Sequence, residues 1–256
     1  MKKNITFKNR MIDVAGDLYF PQNFNENNKY AAIITVHPGS SCKEQTAGIY
    51  AEKLTEKGFV TLAVNASYQG ESGGEPRHIE DPAARVEDIR CAIDYLTTLP
   101  YIHEGRIGAL GVCAGGGYVV NAAMTERRIK AVGTSVGANI GRVNREAPVE
   151  NIIETLEIIG KRRTAEARGA DPMIVPWVAC GNKDATDIDL REAYEYYLTP
   201  RGQHPNSPNK LRFTSMATVI GFDAFHLTEM LLTQPLQIIV GAKGGIQIFS
   251  GWKRTL

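Results

Sequence analysis

A cysteine lies between glycines where an apolar run meets a helix-forming run, in the sequence RIGALGVCAGGGYVVNAAM at residues 106–124. Gly111 and Gly115 stand two positions before and after Cys113, which is the spacing of a nucleophile elbow with Cys in the place of Ser. A residue at such a strand-to-helix junction lies at the carboxyl edge of a parallel sheet and faces a helix N-terminus, whose partial positive charge favours a thiolate. The pattern predicts that Cys113 is a nucleophile, and the glycine spacing fits neither a P-loop nor a dinucleotide site.

Backbone N–H groups near this cysteine are predicted to stabilise negative charge on a substrate carbonyl oxygen. One donor would be the N–H of Ala114, the residue after the nucleophile. The second would come from the turn VHPGSS at residues 36–41, from either Gly39 or Ser40, because this turn also leaves the end of a predicted strand. His37 opens the turn and is predicted to orient it rather than to take part in catalysis.

Strand-like and helix-like patterns alternate along the chain around these residues. Strands are predicted at residues 11–21, 31–37, 59–66, 106–112, 129–136 and 235–241. Helices are predicted at residues 47–54, 86–96, 115–125, 152–159 and 190–198. This alternation predicts an α/β fold with a mostly parallel sheet flanked by helices. Residues 142–230 break the alternation and are predicted to form a partly helical lid, inserted within a single domain that spans residues 1–256.

The composition is that of an ordinary globular chain, with 43% apolar and 22% charged residues. The formal net charge of +1 gives no electrostatic reason to expect nucleic acid or an anionic membrane as a partner. No apolar run is long enough to span a membrane, and the lysine-rich start lacks the apolar segment of a signal peptide. The four cysteines form no CxxC motif, so we expect free thiols in a cytoplasmic protein.

Six segments carry a resemblance to known proteins: HPGSSCKEQTAG, ASYQGESGGEPR, EDPAARVEDIRCAIDYLTTLP, GVCAGGGY, TPRGQHPNSPNK and FDAFHLTEMLLTQPL. Together they resemble the α/β-hydrolases of the dienelactone hydrolase-like group, and more narrowly its bacterial members with a Cys elbow. The resemblance extends from near the start of the chain to Val240.

This resemblance implies an α/β-hydrolase fold and a hydrolase that acts on a small ester, lactone or thioester through a Cys–His–acid triad. The nucleophile would be Cys113, and the oxyanion donors would be the N–H groups of Gly39 and Ala114. No metal or organic cofactor is implied, and the small-molecule substrate is the expected partner.

The end of the chain departs from the pattern of this group, whose members place the acid after a late strand and the histidine after the last strand. No histidine follows His226, and the tail AKGGIQIFSGWKRTL at residues 242–256 has no likeness to the ending of the group. We therefore expect a truncated or frame-shifted C-terminus and an impaired activity. A sheet edge exposed by the loss of a strand would favour a homodimer.

Asp184 and His226 are the candidates for the acid and the base, because they follow Cys113 in the expected chain order. Asp184 comes after the strand-like run VPWVACG at residues 175–181. In the competing interpretation, Asp184 is a solvated carboxylate in the lid and His226 is a packing histidine in an apolar run. Two functions remain open: a hydrolase whose triad is impaired or completed by an unusually placed histidine, and a non-catalytic protein of the same fold that binds a small ligand or a partner.

Overall fold

A seven-stranded sheet forms the centre of the computed structural model, which describes residues 1–146 and 152–241. The strands are β1 (Lys2–Asn9), β2 (Ile12–Tyr19), β3 (Tyr30–Val36), β4 (Val60–Val64), β5 (Ile102–Val112), β6 (Ile129–Ser135), β7 (Ile174–Val175), β8 (Leu211–Arg212) and β9 (Leu236–Ile239). Their order across the sheet is β1–β2–β4–β3–β5–β6–β9, and β7 and β8 form a separate antiparallel pair. The strand β2 is antiparallel to β1 and β4, whereas every pairing from β4 to β9 is parallel. The predicted, mostly parallel sheet is confirmed.

Helices cover this sheet and fill the connections between its strands. They are α1 (Gly48–Thr55), α2 (Pro82–Thr97), α3 (Ala114–Thr125), α4 (Ile140–Glu146), α5 (Ile152–Ala167), α6 (Ile188–Tyr197), α7 (Met216–Gly221) and α8 (Thr228–Leu231). The start of α2 is fixed by Asp81, whose carboxylate accepts hydrogen bonds from the N–H groups of Ala83 (2.9 Å) and Ala84 (3.3 Å). No helix within residues 1–146 and 152–241 is both long and apolar enough to cross a membrane.

The strands β3 and β4 are predictable because they are largely apolar and rich in β-branched residues. All five residues of β4 are buried, as expected for a parallel strand with both faces covered. Burial of each Val or Leu side chain contributes about 1.5–3 kcal/mol. Gly39 and Cys113 follow the ends of β3 and β5, so the buried sheet fixes the positions of both residues.

The strand β1 was not among the predicted elements. Its sequence KKNITFKN alternates polar and apolar residues, and only one face is buried. Ile5 and Phe7 contribute to the core, and the Phe7 ring stacks on Tyr95 of α2 with 6.0 Å between ring centroids. Asn9 ends the buried face and donates a hydrogen bond to the carboxylate of Asp88 at 2.7 Å. Two lysines at the start conceal this pattern in the sequence.

The chain leaves the sheet after β6 and returns to it at β9, which pairs with β6. Residues 142–230, which we call the lid segment, lie in this connection. The predicted helices at residues 152–159 and 190–198 are confirmed by α5 and α6. The strand-like run at residues 175–181 forms no full strand, since only Ile174–Val175 is extended and Cys180–Asp184 forms a 3₁₀ turn. The predicted departure at residues 242–256 lies outside the described residues.

Candidate active site

Cys113 occupies a strained turn between the last residue of β5 and the first residue of α3. Its backbone angles are φ 53° and ψ −123°, a conformation that costs a residue other than glycine about 1–3 kcal/mol. Its N–H donates to the carbonyl of Ser135 at 3.0 Å, and its carbonyl accepts from the N–H groups of Gly116 and Ala138, both at 2.8 Å. Three backbone hydrogen bonds therefore hold the strained residue in place. The predicted strand-to-helix junction is confirmed.

The flanking glycines allow backbone segments to approach closely around this turn. A Cβ atom on Gly111 would lie 2.1 Å from the carbonyl oxygen of Gly115. A Cβ atom on Gly115 would lie 2.4 Å from the carbonyl oxygen of Val36 and 2.8 Å from that of His37. The N-terminus of α3 therefore packs directly on the backbone at the end of β3, which places Cys113 beside the turn that contains Gly39.

The thiol of Cys113 is harder to ionise than the sequence predicted. Burial raises the pKa of Cys113, and this effect outweighs the hydrogen bond from the N–H of Ala114, which lowers it. The Glu80 carboxylate raises this pKa further, and the Arg85 guanidinium lowers it. The predicted lowering of the Cys113 pKa is therefore wrong. Desolvation of the thiolate raises this pKa by more than the N–H of Ala114, at the start of α3, lowers it.

The turn at residues 38–41 carries the predicted second oxyanion donor. The N–H of Gly39 donates to no backbone acceptor within the described part of the chain. The next residue, Ser40, has a φ of 52°, and its carbonyl accepts a hydrogen bond from the Ser207 hydroxyl at 2.7 Å. The Trp177 indole covers Gly39, since a Cβ atom there would lie 2.3 Å from a ring carbon. Residues 142–230 therefore contact this turn through Trp177.

His37 holds the turn and has no free nitrogen for proton transfer. Its Nδ1–H donates to the carbonyl of Pro38 at 2.6 Å, and its Nε2 accepts from the N–H of Ala66 at 3.0 Å; these partners assign the tautomer. The guanidinium of Arg85 donates to the His37 carbonyl at 2.6 Å. Burial and the charge of Arg85 hold the pKa of His37 well below its usual range. The predicted orienting role is supported by this geometry.

A buried charged cluster that the sequence analysis missed lies close to Cys113. Glu80 accepts hydrogen bonds from the Tyr118 hydroxyl and from the Gln69 amide, each at 2.7 Å. Arg85 places its Nε 3.6 Å from a Glu80 oxygen and its guanidinium carbon 4.8 Å from the centroid of the Tyr118 ring. Both charged side chains are almost fully inaccessible to water. The sequence shows this pair only as a Glu just before α2 and an Arg in its first turn, five residues apart.

Tyr197, at the C-terminal end of α6, brings a hydroxyl group from the lid segment into this site. Burial raises its pKa above the usual range, Cys113 raises it further, and a hydrogen bond with the Ser41 hydroxyl lowers it. Tyr197 is therefore a neutral phenol within electrostatic reach of Cys113. A small void of about 10 Å³ adjoins it, lined by Gly39, Ser40, Trp177, Val178, Tyr197, Ser207 and Asn209.

The structure does not bring Asp184 and His226 together with Cys113. Both side chains are exposed, Asp184 at the end of a 3₁₀ turn and His226 between α7 and α8. Neither is among the groups that affect the pKa of Cys113, and no hydrogen bond or ion pair among the described residues joins either to the thiol. The alternative prediction, that His226 packs in the core, is also wrong, because its side chain is exposed.

Like Asp184 and His226, the histidines His78, His103 and His204 are not among the groups that affect the pKa of Cys113. His103 is at the start of β5, whereas Cys113 follows its end, so the two are at opposite edges of the sheet. His78 is half-buried in the loop before α2, where burial and the cations of Lys210 and Arg77 lower its pKa. His204 lies in the loop after α6, close to Cys42.

Comparisons with known proteins agree with this architecture. The profile of the dienelactone hydrolase family matches residues 16–158. The chain is 46% identical over 253 residues to the uncharacterized protein YcjY of Escherichia coli strain K12, with 96% of this chain and 83% of YcjY covered. It is 30% identical over 222 residues to the thiohydrolase aneE of Aspergillus aculeatus, with 84% of this chain and 70% of aneE covered.

A solved structure shows the same fold along nearly the whole chain. The crystal structure of hypothetical protein PA2218 from Pseudomonas aeruginosa superposes with a TM-score of 0.86 at 34% sequence identity, covering 95% of this chain and 78% of that chain. Sheet order, family profile and relatives agree with one another. The chain is therefore a hydrolase with the α/β-hydrolase fold and belongs to the dienelactone hydrolase family.

Proposed function

We propose that the protein hydrolyses a small ester, lactone or thioester through an acyl-enzyme formed on Cys113. The observation that carries this proposal is the strained backbone of Cys113, with φ 53° and ψ −123°, between β5 and the N-terminus of α3. A strained residue persists only where the surrounding structure holds it, and such residues cluster at active sites. The N–H of Gly39, which donates to no backbone acceptor among the described residues, and the Ala114 N–H beside the thiol support the same assignment.

The proposed reaction has two steps. The thiol of Cys113 loses its proton to solvent water, and the thiolate attacks the substrate carbonyl carbon while the N–H groups of Gly39 and Ala114 stabilise the oxyanion. The bond to the leaving alcohol or thiol breaks, and the leaving group takes up a proton. Water then attacks the thioester on Cys113, which releases the carboxylic acid and regenerates the thiol.

The acyl group that this site accepts should be small. Trp177 covers Gly39, and the void beside Tyr197 has a volume of only about 10 Å³, so a substrate must displace part of this covering to reach the turn. Both residues belong to the lid segment, which we propose as the part of the domain that determines specificity. The similarity to a protein named thiohydrolase supports thioesters as one substrate class. A cytoplasmic location and a homodimer remain predictions.

The reactivity of Cys113 should increase with pH beyond the range of an ordinary thiol. The thiolate is the reacting form, and burial raises the pKa of Cys113. The rate of alkylation by iodoacetamide, followed at Cys113 by peptide mapping, should therefore still be rising above about pH 8.5, where an unperturbed thiol is half ionised. N-acetylcysteine in the same buffers provides the reference curve. A plateau well below that of the reference would mean that a base or cation ionises Cys113, contrary to this account.

Release of p-nitrophenolate from p-nitrophenyl acetate tests the proposed reaction. The wild-type protein should give a rapid burst of about one equivalent, followed by slow turnover, because no histidine near Cys113 within the described residues is free to activate water. Cys113→Ala should remove the burst, and Cys91→Ala, which changes a half-buried thiol on α2, should retain it. Equal traces from the wild type and Cys113→Ala would contradict the proposal and favour the non-catalytic alternative.

A further inference from the structure

Cys42, Glu44 and His204 come together at a place that the proposed reaction does not use. One donor atom from each side chain lies within 4.8 Å of the other two: a thiol sulfur, a carboxylate oxygen and an imidazole nitrogen. Cys42 and Glu44 lie between the turn of Gly39 and α1, whereas His204 belongs to the loop at residues 199–210, which follows α6. The cluster therefore joins the lid segment to the body of the domain.

The charges around Glu44 do not balance. The ammonium of Lys43 contacts carboxylate oxygens of Asp17 (2.9 Å), Glu44 (2.8 Å) and Glu71 (3.0 Å), and Lys2 contacts Asp17 at 3.0 Å. Three carboxylates against two ammonium groups leave one negative charge in excess. The second oxygen of Glu44, Oε2, is buried and accepts no N–H or O–H hydrogen bond among the described residues, although the thiol of Cys42 lies close enough to lower the pKa of Glu44. A buried carboxylate oxygen in this state calls for a further partner, such as a water molecule or a cation.

The loop that carries His204 is already held in position. The amide of Asn206 donates to Glu44 at 2.8 Å, and the amide of Gln45 donates to the carbonyl of Gly202 at 2.7 Å. The Nδ1 atom of His204 accepts only a long hydrogen bond of 3.2 Å from the N–H of Asn206. Coordination through Nδ1 would replace that one bond, so binding would require little rearrangement of the loop.

We propose that Cys42, Glu44 and His204 bind one Zn²⁺ ion. Thiolate, imidazole and carboxylate are the three ligand types that zinc takes in proteins, and water would fill the fourth position of a tetrahedral site. Binding releases the thiol proton of Cys42 to solvent. The two positive charges of the ion then neutralise the Cys42 thiolate and the excess carboxylate charge. The ion would fasten the loop at residues 199–210 beside the turn of Gly39.

Titration of the metal-free protein with Co²⁺, followed by displacement with Zn²⁺, tests this site without reference to hydrolysis. One equivalent of Co²⁺ should give a thiolate-to-metal charge-transfer band, which Zn²⁺ should remove. Cys42→Ser should abolish the band. His204→Ala, which changes a half-exposed side chain and leaves the core intact, should weaken Zn²⁺ binding by more than the roughly 10–100-fold that loss of an outer-shell partner costs.

The exposed residues His103 and Cys180 provide matched controls, because neither belongs to the cluster. His103→Ala and Cys180→Ser should bind both metals as the wild type does. Absence of the band at one equivalent of Co²⁺ would overturn the proposal. Equal Zn²⁺ affinity of His204→Ala and the wild type would also overturn it, whatever the outcome of the hydrolysis experiments.

Discussion

Arg85→Met is expected to lower the free energy of unfolding by about 3–5 kcal/mol, the cost of removing one partner from a buried ion pair. Glu80 and Arg85 are both almost completely inaccessible to water, so the Glu80 carboxylate would lose its only close cation among the described residues. The substitution also removes the hydrogen bond to the His37 carbonyl, which holds the turn of Gly39. Urea denaturation measures the expected loss.

The matched control for this experiment is Arg90→Met on the same helix. Arg90 pairs with Glu87 at 2.9 Å, but both side chains are about one-third exposed, and such pairs contribute about 0–1 kcal/mol. Arg85→Met should also slow the alkylation of Cys113, because the guanidinium lowers the pKa of that thiol. If Arg85→Met and Arg90→Met had equal free energies of unfolding, the Glu80–Arg85 pair would not stabilise the folded site.

Gly115→Ala is expected to destabilise the protein by about 1–3 kcal/mol, as overpacking does, and to reduce the p-nitrophenolate burst. Its methyl group would lie 2.4 Å from the carbonyl oxygen of Val36 and 2.8 Å from that of His37, so the N-terminus of α3 must move away from β3. This movement would displace Cys113 relative to Gly39, and misplacement of reacting groups by about 1 Å can cost roughly 100-fold in rate.

Gly160→Ala provides the comparison, because no atom lies within 4 Å of the Cβ position on this exposed face of α5. Alanine is favoured over glycine inside a helix by about 0.5–1 kcal/mol, so Gly160→Ala should stabilise the protein and leave the burst unchanged. If Gly115→Ala behaved like Gly160→Ala in unfolding and in the burst, the close packing of α3 on β3 would not matter to the site.

The sequence predicts those parts of the fold whose physical causes are local. The strands β3 and β4 are apolar runs buried along most of their length, and the second half of β5 continues the same pattern. The strand β1 is missed because its buried face consists of alternate residues among lysines and asparagines. The run at residues 175–181 only resembles a strand in sequence, because its apolar side chains pack elsewhere: Trp177 covers Gly39, and Val178 is buried beside Asn209.

In the candidate site, too, features with local causes are predicted and features that depend on distant residues are not. The glycine spacing around Cys113 is a local signal, and the predicted junction is confirmed. The pKa of the thiol depends on burial and on Glu80 and Arg85, which come from another part of the chain, so spacing alone predicts the wrong direction. Tyr197 is separated from Cys113 by more than 80 positions, and its place in the site depends on how the lid segment folds back.

Mass spectrometry after brief exposure to p-nitrophenyl acetate tests the central claim most directly, because it detects the acyl-enzyme itself. Peptide mapping should find the acetyl group on Cys113 and not on Cys42, Cys91 or Cys180, and Cys113→Ala should remain unmodified. Slow loss of the acetyl group would then measure hydrolysis of the intermediate. Acetylation spread over other thiols or lysines, to the same extent in the wild type and in Cys113→Ala, would contradict the claim that the strained cysteine between β5 and α3 is the nucleophile.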